Sequence, residues 1–217
     1  MQTLRIAAAP GTASGNCIVL LPGAQQQLED FLQAGFDLAV RQRQLPLDLI
    51  LAAPPRAHLT DRAWLALLLD QVIRPQRARC QVLWLGGISL GSFMALRFAA
   101  EYPALVDGLC LLAPYLGSRI AAAEIARCGT LAAWHPGELS ADDDERYVWR
   151  YLRDLHAPPP HVFLGLGKDD RFADTQGLLA AALPPASSTR IEGGHEWPVW
   201  RQLWDCFLDR QLRGEYA

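Results

Sequence analysis

The sequence predicts an α/β fold: a mostly parallel, twisted sheet of about seven strands with helices on both faces. Short apolar runs alternate with longer segments of helical periodicity, which is the pattern of successive β-α-β units. Most of the short runs are apolar throughout, as strands that are covered on both faces must be. The predicted strands lie near residues 3–9, 17–21, 47–53, 80–85, 107–112, 161–166 and 187–192.

Two segments show the helical period most clearly. After the second strand, apolar side chains from Leu28 to Val40 recur at intervals of three and four residues, which predicts a helix with one buried face. The segment from Trp200 to Leu208 has the same spacing, so a last helix is expected to pack on the sheet.

Length and composition predict a single domain over residues 1–217, because 51% hydrophobic and 20% charged residues suffice for one sizeable core. The interval 115–160 is longer than one crossover helix needs, and we interpret it as a small helical lid insertion. Helices are expected in it near 119–128 and 141–155. The second would start at Ser140, a hydroxyl cap that is followed by carboxylates favoured at a helix amino terminus.

Charge and cysteine content exclude several classes of protein. The chain has 20 Lys and Arg against 23 Asp and Glu, a net charge of −3, which argues against nucleic acid as a partner. No stretch approaches the ~20 apolar residues of a membrane span, and the amino terminus has no signal-peptide core. The cysteines number five, which is odd, and three of them, Cys17, Cys80 and Cys110, lie in or beside apolar runs, which favours reduced thiols and a cytoplasmic location. No Cys-x-x-Cys pair or Cys/His cluster at metal-ligand spacing is present, so no metal is expected. The function predicted below implies no organic cofactor either.

One motif carries chemistry. The strand ending at Leu85 runs into Gly86-Gly87-Ile88-Ser89-Leu90-Gly91, and a segment of helical period follows. This is G-x-S-x-G in a strand, sharp turn and helix context. Gly87 and Gly91 would let the strand and helix approach closely, and Ser89 would sit at the carboxyl end of the sheet as a nucleophile. The N–H of Leu90, at the start of the helix, would face developing negative charge.

A serine nucleophile needs a base and an acid, and both follow later strands. Asp169 and Asp170 come after the strand at 161–166 and Gly167, and His195 lies in a glycine-containing loop after the strand at 187–192. Each group therefore emerges at a strand's carboxyl end, which is the functional edge of an open α/β sheet.

Ser89, then an acid, then His195 is the chain order of the α/β-hydrolase superfamily, which the sequence resembles over nearly its whole length as a compact, serine esterase-like member. The family's Gly-x-x-Asp pattern implies Asp170 as the acid, with Asp169 as the alternative. The resemblance also implies a second oxyanion donor in the loop after residues 17–21. Pro22 stands there in place of the family's usual His, so we assign the donor to the N–H of Ala24, with Gly23 or Gln25 as alternatives.

Three further residues are weighed as parts of the site. His58 follows the strand at 47–53 and is a candidate substrate contact, the alternative being a surface-loop or helix-start histidine. Trp197, two residues after His195, is the second candidate contact. Ser92 lies one helical turn past Ser89 and is expected to be a buried hydroxyl that bonds within its own helix.

The function predicted from these residues is that of a cytoplasmic serine hydrolase that cleaves a carboxylic ester, or a similar acyl bond, of a small molecule through an acyl-enzyme. A thioesterase, another acyl hydrolase or an acyltransferase would use the same residues, and a catalytically idle binding protein with this fold is the alternative of a different class. The sequence leaves open the acyl chain length, the kind of acyl bond and the oligomeric state, a homodimer included.

Overall fold

The computed structural model describes residues 1–8, 15–55, 57, 62–140, 142–155, 161–212 and 214. Within these ranges seven strands form one open sheet. They are Gln2–Ile6 (β1), Asn16–Leu21 (β2), Leu47–Ala53 (β3), Val82–Ile88 (β4), Gly108–Leu112 (β5), His161–Gly167 (β6) and Ser188–Ile191 (β7).

Helices occupy most of the connections between strands. The described α-helices are Leu28–Gln33 (α1), Phe36–Gln42 (α2), Ala63–Leu68 (α3), Arg74–Arg77 (α4), Leu90–Glu101 (α5), Arg119–Arg127 (α6), Asp144–Arg153 (α7), Ala173–Ala182 (α8) and Trp197–Leu212 (α9). A π-helical turn, Leu69–Ile73, joins α3 to α4, and short 3-10 helices at Pro103–Leu105 and Pro185–Ser187 precede β5 and β7. No described helix reaches the length and hydropathy that a bilayer crossing requires.

The order of the strands places the carboxyl ends of β2 and β4 side by side. The order is β1-β3-β2-β4-β5-β6-β7, in which β1 pairs antiparallel with β3 and the other described pairs are parallel. The predicted mostly parallel sheet of about seven strands is therefore confirmed. Because β3 lies on one side of β2 and β4 on the other, a crevice opens between the ends of β2 and β4, where ligands of open α/β sheets bind.

Both faces of the sheet are covered, as predicted. On one face α1, α2 and α9 bury large aromatic side chains, including Phe31, Phe36 and Trp204. On the other face α3, α5 and α7 do the same with Trp64, Phe98 and Trp149. Burying one such side chain contributes about 2 to 3 kcal/mol relative to exposure, so these two layers hold the strand ends in fixed positions.

The segment from Leu28 to Val40 forms two helices, and the single helix expected there is a wrong prediction. Gly35 lies between α1 and α2 with φ 77°, in the left-handed region that glycine adopts without strain. The apolar positions of both short helices still face the sheet, since Leu28, Phe31 and Phe36 are almost completely buried. The periodicity therefore identified the buried side chains but not the break in the backbone.

The interval 115–160 contains the two expected helices, α6 and α7. Helix α7 begins at Asp144, and the Asp143 carboxylate accepts the N–H of Arg146 at 3.0 Å. The cap is therefore Asp143 and not Ser140, three residues later than predicted. A carboxylate suits this position because it also interacts favourably with the helix dipole.

Candidate active site

Ser89 occupies a strained turn between β4 and α5. Its backbone has φ 53° and ψ −112°, a positive φ that residues with a Cβ rarely adopt. Two long-range hydrogen bonds hold this conformation: Ser89 N–H donates to Leu112 O at 3.0 Å, and Ser89 O accepts from Tyr115 N–H at 3.1 Å. The end of β5 and the residues after it therefore maintain the strain at Ser89.

Gly87 and Gly91 allow the end of β2 to lie directly against this turn. A Cβ on Gly87 would stand 2.4 Å from Leu21 O, and a Cβ on Gly91 would stand 2.1 Å from the same oxygen and 2.8 Å from Pro22 O. A Cβ on Gly87 would also lie 2.7 Å from the carbonyl carbon of Gly91. The close approach that the two glycines permit therefore involves β2 as well as β4 and α5.

We expect Gly91→Ala to lower the free energy of unfolding by about 3 kcal/mol, because the added methyl group meets the backbone of a central strand, which cannot move aside easily. Gly177→Ala in α8 is the matched control. A Cβ there meets no atom within 4 Å, so alanine should raise the free energy of unfolding by about 1 kcal/mol through helix propensity. Urea unfolding measures both effects, and equal stability of Gly91→Ala and the wild type would contradict the close approach.

Ser89, His195 and Asp170 are brought together in one chain of hydrogen bonds. His195 Nε2 lies 2.9 Å from Ser89 Oγ, and His195 Nδ1 lies 2.8 Å from Asp170 Oδ2. The His195 and Asp170 side chains are 8% and 0% exposed. This is the geometry in which a nucleophile contacts a base and the base is oriented by a carboxylate.

Gly167 and Gly193 hold together the loops that carry the acid and the histidine. Asp169 N–H donates to Gly193 O at 3.0 Å, and a Cβ on Gly167 would lie 2.5 Å from that oxygen. With the loops joined in this way, Asp170 is buried and contacts His195, whereas Asp169 is exposed. The structure thus places Asp170, and not the alternative Asp169, against the imidazole.

The surroundings of Asp170 fix the tautomer of His195. Burial raises the pKa of the Asp170 carboxyl, but hydrogen bonds from the His195 ring and from Phe172 N–H, at 2.8 Å, outweigh it, so that pKa lies below its ordinary value. The ionised carboxylate can only accept hydrogen bonds, so His195 Nδ1 carries a proton. His195 Nε2 is then the acceptor for the hydroxyl of Ser89.

Aromatic rings enclose the imidazole of His195. The ring centroids of Phe172 and Trp200 both lie 5.0 Å from that of His195, with interplanar angles of 89° and 82°. Trp197, predicted as a substrate contact, packs its ring against Phe31 and Trp200 at 5.6 Å and 5.2 Å. It therefore lies one ring removed from His195, and its contact with substrate stays a prediction.

The loop after β2 lies next to the amino end of α5, as the predicted oxyanion donors require. Gly23 N–H already donates to Gln26 Oε1 at 2.7 Å, and Gln26 N–H donates back to Gly23 O at 3.3 Å. The first of these hydrogen bonds occupies the N–H of Gly23, so the N–H of Ala24 is a better candidate for the second donor than that of Gly23. The alternative Gln25 stays open. Ala24 and Leu90 both line a cavity of about 340 Å³.

Several residues differ from, or go beyond, what the sequence indicated. Ser92 bonds outside its helix, donating to Gly87 O at 2.6 Å and accepting from Leu112 N–H at 3.2 Å, so it ties the turn to β5. The sequence carries no signal for the contact of Phe172 with His195. The hydrogen bond between Gln26 and Gly23 has one hint in the sequence, since a spacing of three residues is typical of a turn. His58 lies outside the described residues.

Among the described residues, no group of three His, Cys, Asp or Glu side chains could hold a metal ion.

No protein-family model matches the sequence, and no curated protein matches it. Solved structures do share the fold. A fluorophosphonate-binding serine hydrolase of Staphylococcus aureus has a TM-score of 0.67 at 13% identity, over 95% of this chain and 90% of its own. A monoacylglycerol lipase of Paleococcus ferrophilus has a TM-score of 0.62 at 16% identity, over 100% of both chains. An S-formylglutathione hydrolase of Staphylococcus aureus has a TM-score of 0.62 at 13% identity, over 89% of this chain and 80% of its own. The strand order, the turn at Ser89 and these similarities together identify the α/β-hydrolase fold.

Proposed function

We propose that this chain is a serine hydrolase that cleaves carboxylic esters of small molecules through Ser89, His195 and Asp170. The observation that carries the proposal is the unbroken pair of hydrogen bonds from Asp170 through His195 to Ser89. A serine hydroxyl is a weak nucleophile by itself, and this arrangement supplies the base that activates it. The serine hydrolase and the monoacylglycerol lipase among the structural neighbours support the same class of reaction.

In the first half of the reaction, His195 Nε2 takes the hydroxyl proton as Ser89 Oγ attacks the acyl carbon. The resulting oxyanion accepts hydrogen bonds from the N–H groups of Leu90 and Ala24, and each such donor contributes about 3 kcal/mol to the transition state. When the intermediate collapses, the bond to the alcohol oxygen breaks, and the alcohol leaves with the proton from His195. An acyl-enzyme on Ser89 remains.

In the second half, water replaces the alcohol. His195 takes a proton from the water molecule as its oxygen attacks the acyl carbon of the acyl-enzyme, and the same two N–H groups hold the oxyanion. Collapse returns the proton to Ser89 Oγ and releases the carboxylic acid. The net reaction consumes one ester and one water and yields one acid and one alcohol. Asp170 remains ionised throughout and keeps the imidazole in its tautomer.

We also propose that residues 115–160 act as the lid of a single domain that spans residues 1–217. Helix α7 in this interval is fixed to α5, because the buried guanidinium of Arg97 donates to Asp144 Oδ1 at 2.7 Å and lies 4.1 Å from the ring centre of Tyr147. At the start of the interval, the ring of Tyr115 contacts Phe172, which contacts His195. These contacts support a lid that is anchored next to Ser89, His195 and Asp170.

A cytoplasmic location is the remaining part of the proposal. Cys17, Cys80 and Cys110 are buried free thiols. Reduced thiols of this kind are typical of proteins in a reducing compartment, which supports a cytoplasmic enzyme.

Pre-steady-state hydrolysis of a 4-nitrophenyl ester tests the acyl-enzyme. Because 4-nitrophenolate is a good leaving group, acylation of Ser89 should be faster than hydrolysis of the acyl-enzyme, and we then expect a rapid burst of 4-nitrophenolate equal to one equivalent of enzyme, followed by slower steady turnover. Direct attack of water would give steady hydrolysis without a burst, and no covalent acyl-enzyme would be found after acid quenching. A folded protein that hydrolyses no acyl substrate would instead support the idle binding protein.

Thioester hydrolysis is the second candidate, favoured by the structural similarity to the S-formylglutathione hydrolase, whose named substrate is a thioester. The same triad attacks either bond, so the preference depends on the leaving group. Paired oxygen and sulfur esters with one acyl group decide between the candidates. A higher kcat/KM for the oxygen ester supports the carboxylesterase, and a higher kcat/KM for the thioester supports the alternative.

A further inference from the structure

The structure assigns a subsite beside the loop after β2 that, we infer, receives the acyl part of the ester and selects short, uncharged acyl groups with a hydrogen-bond acceptor. This inference rests on the proposed function and names its substrate class. The subsite is the cavity of about 340 Å³ lined by residues 22–27, residues 53–55, Gln2, Leu90 and Met94. It lies beyond the carboxyl ends of β2 and β3, next to the amino end of α5.

The position of His195 decides which half of the ester enters the cavity. The leaving oxygen must receive its proton from His195 Nε2, so the alcohol has to lie beside this ring and its neighbour Phe172. Neither of these residues is among the described residues that line the cavity, whereas Ala24 and Leu90, proposed to hold the carbonyl oxygen, both are. The acyl chain, which extends from the carbonyl carbon away from the leaving group, therefore enters the cavity.

The chemistry of the lining indicates an uncharged acyl group. No ionisable side chain lines the described part of the cavity, and four of its residues are glutamines, namely Gln2, Gln25, Gln26 and Gln27. Among the described lining residues, a charged acyl group would meet no opposite charge to offset the hydration that it loses. Carboxamides can instead hydrogen-bond an ether or carbonyl oxygen.

Gln26 is the lining residue best placed to donate to such an oxygen. Its Oε1 accepts the N–H of Gly23 at 2.7 Å, which fixes the orientation of the half-buried amide. Within the described part of the chain its Nε2 makes no hydrogen bond, so both N–H groups remain for a ligand. The amide oxygen of Gln26 therefore holds the loop through Gly23 N–H, and its amide nitrogen can donate to an acceptor on the acyl group.

The size of the cavity limits the length of the acyl chain. At about 340 Å³ it lies near the lower end of the ~300 to 1,000 Å³ range of ligand pockets. A chain of a few carbon atoms fits such a volume completely, and a long fatty acyl chain of a dozen carbon atoms or more would leave part of its apolar surface outside.

Four 4-nitrophenyl esters with one leaving group test the subsite. The 3-methoxypropanoate, the pentanoate and the 3-sulfopropanoate are similar in size and differ in polarity and charge, and the dodecanoate is long. Each kcat/KM is divided by the rate constant for hydroxide hydrolysis of the same ester. We expect the 3-methoxypropanoate to rank first. Its normalised kcat/KM should be roughly tenfold or more above that of the sulfonate, because binding the sulfonate without a partner of opposite charge costs at least that factor. The dodecanoate should fall below the pentanoate.

A variant with an added charge and its matched control test whether the acyl group binds in this cavity. Gln2→Lys places a cation at the cavity on the exposed start of β1 and should raise kcat/KM for the sulfonate, relative to the pentanoate, by about tenfold. Thr3→Lys adds the same charge at the next, also exposed, position, whose side chain points to the opposite face of the strand. It should leave the ratio unchanged.

The outcomes separate the two proposals. If the esters are hydrolysed but the sulfonate or the dodecanoate ranks first, or if the two lysine variants change the ratio equally, the acyl subsite is wrong and the serine hydrolase stands. If the wild type hydrolyses none of the four esters, the proposed function itself fails.

Discussion

Ser89→Ala is expected to lower kcat for ester hydrolysis by roughly 10⁴-fold or more, to the residual rate that oxyanion donors and binding alone provide. The hydroxyl of Ser89 is the group that contacts His195 Nε2, at 2.9 Å, and without it no acyl-enzyme can form. The free energy of unfolding should change by less than about 1 kcal/mol, because the backbone of the turn is held through its N–H and C=O groups and not through the hydroxyl.

Ser92→Ala is the matched comparison, three residues later in the same turn and helix. Its hydroxyl is fully buried and bonds Gly87 O and Leu112 N–H, so its loss should lower the free energy of unfolding by about 1 to 3 kcal/mol. The nucleophile remains, so most of the turnover should remain as well. Steady-state kinetics and urea unfolding on both variants separate the two roles. Substantial turnover by Ser89→Ala would contradict the role of Ser89 as nucleophile.

Asp170→Asn is expected to lower kcat by roughly 10⁴-fold, the size of the effect that the same change has in a Ser-His-Asp protease. An asparagine amide can donate to His195 Nδ1, which would favour the tautomer with the proton on Nε2. His195 could then no longer accept the proton of Ser89, although the side chains would fill the same space. The low pKa of Asp170 reflects the same interaction, since the ionised carboxylate is stabilised by its hydrogen bonds to His195 and Phe172 N–H.

Asp169→Asn is the control for this variant, because it makes the same chemical change at the adjacent position. Asp169 is exposed, and the carboxylate that bonds His195 Nδ1 is that of Asp170, so kcat of Asp169→Asn should stay within about twofold of the wild-type value. Measuring kcat for both variants against pH shows whether a lost rate reflects a changed tautomer. A large loss in Asp169→Asn with none in Asp170→Asn would reverse the assignment of the acid.

The strands and the meeting of Ser89, Asp170 and His195 were predictable because each depends on a local pattern. Apolar runs mark strands buried on both faces, and groups that follow parallel strands meet at one edge of the sheet. The glycines around Ser89 were also informative, since a Cβ on Gly91 would overlap Leu21 O of a neighbouring strand. These features need only the type of residue and its place relative to a strand.

Other features depend on contacts between distant segments, which no local pattern encodes. Gly35 breaks a segment whose apolar period continues across it, because both short helices pack on the same sheet face. Ser92 bonds to Leu112, a residue of the next strand, instead of its own helix. The ring of Trp200 packs against His195, whereas the ring of Trp197 packs against Phe31 and Trp200.

Intact-protein and peptide mass spectrometry after reaction with a fluorophosphonate tests most directly whether Ser89 is an activated nucleophile. The reagent forms a bond from serine oxygen to phosphorus, releases fluoride and places the phosphonyl oxygen where the oxyanion donors act. We expect one phosphonyl group per wild-type chain, located on the peptide that contains Ser89, and none on folded Ser89→Ala. A folded wild-type protein that stays unlabelled, or that is labelled equally when Ser89 is alanine, would contradict a catalytic triad of Ser89, His195 and Asp170.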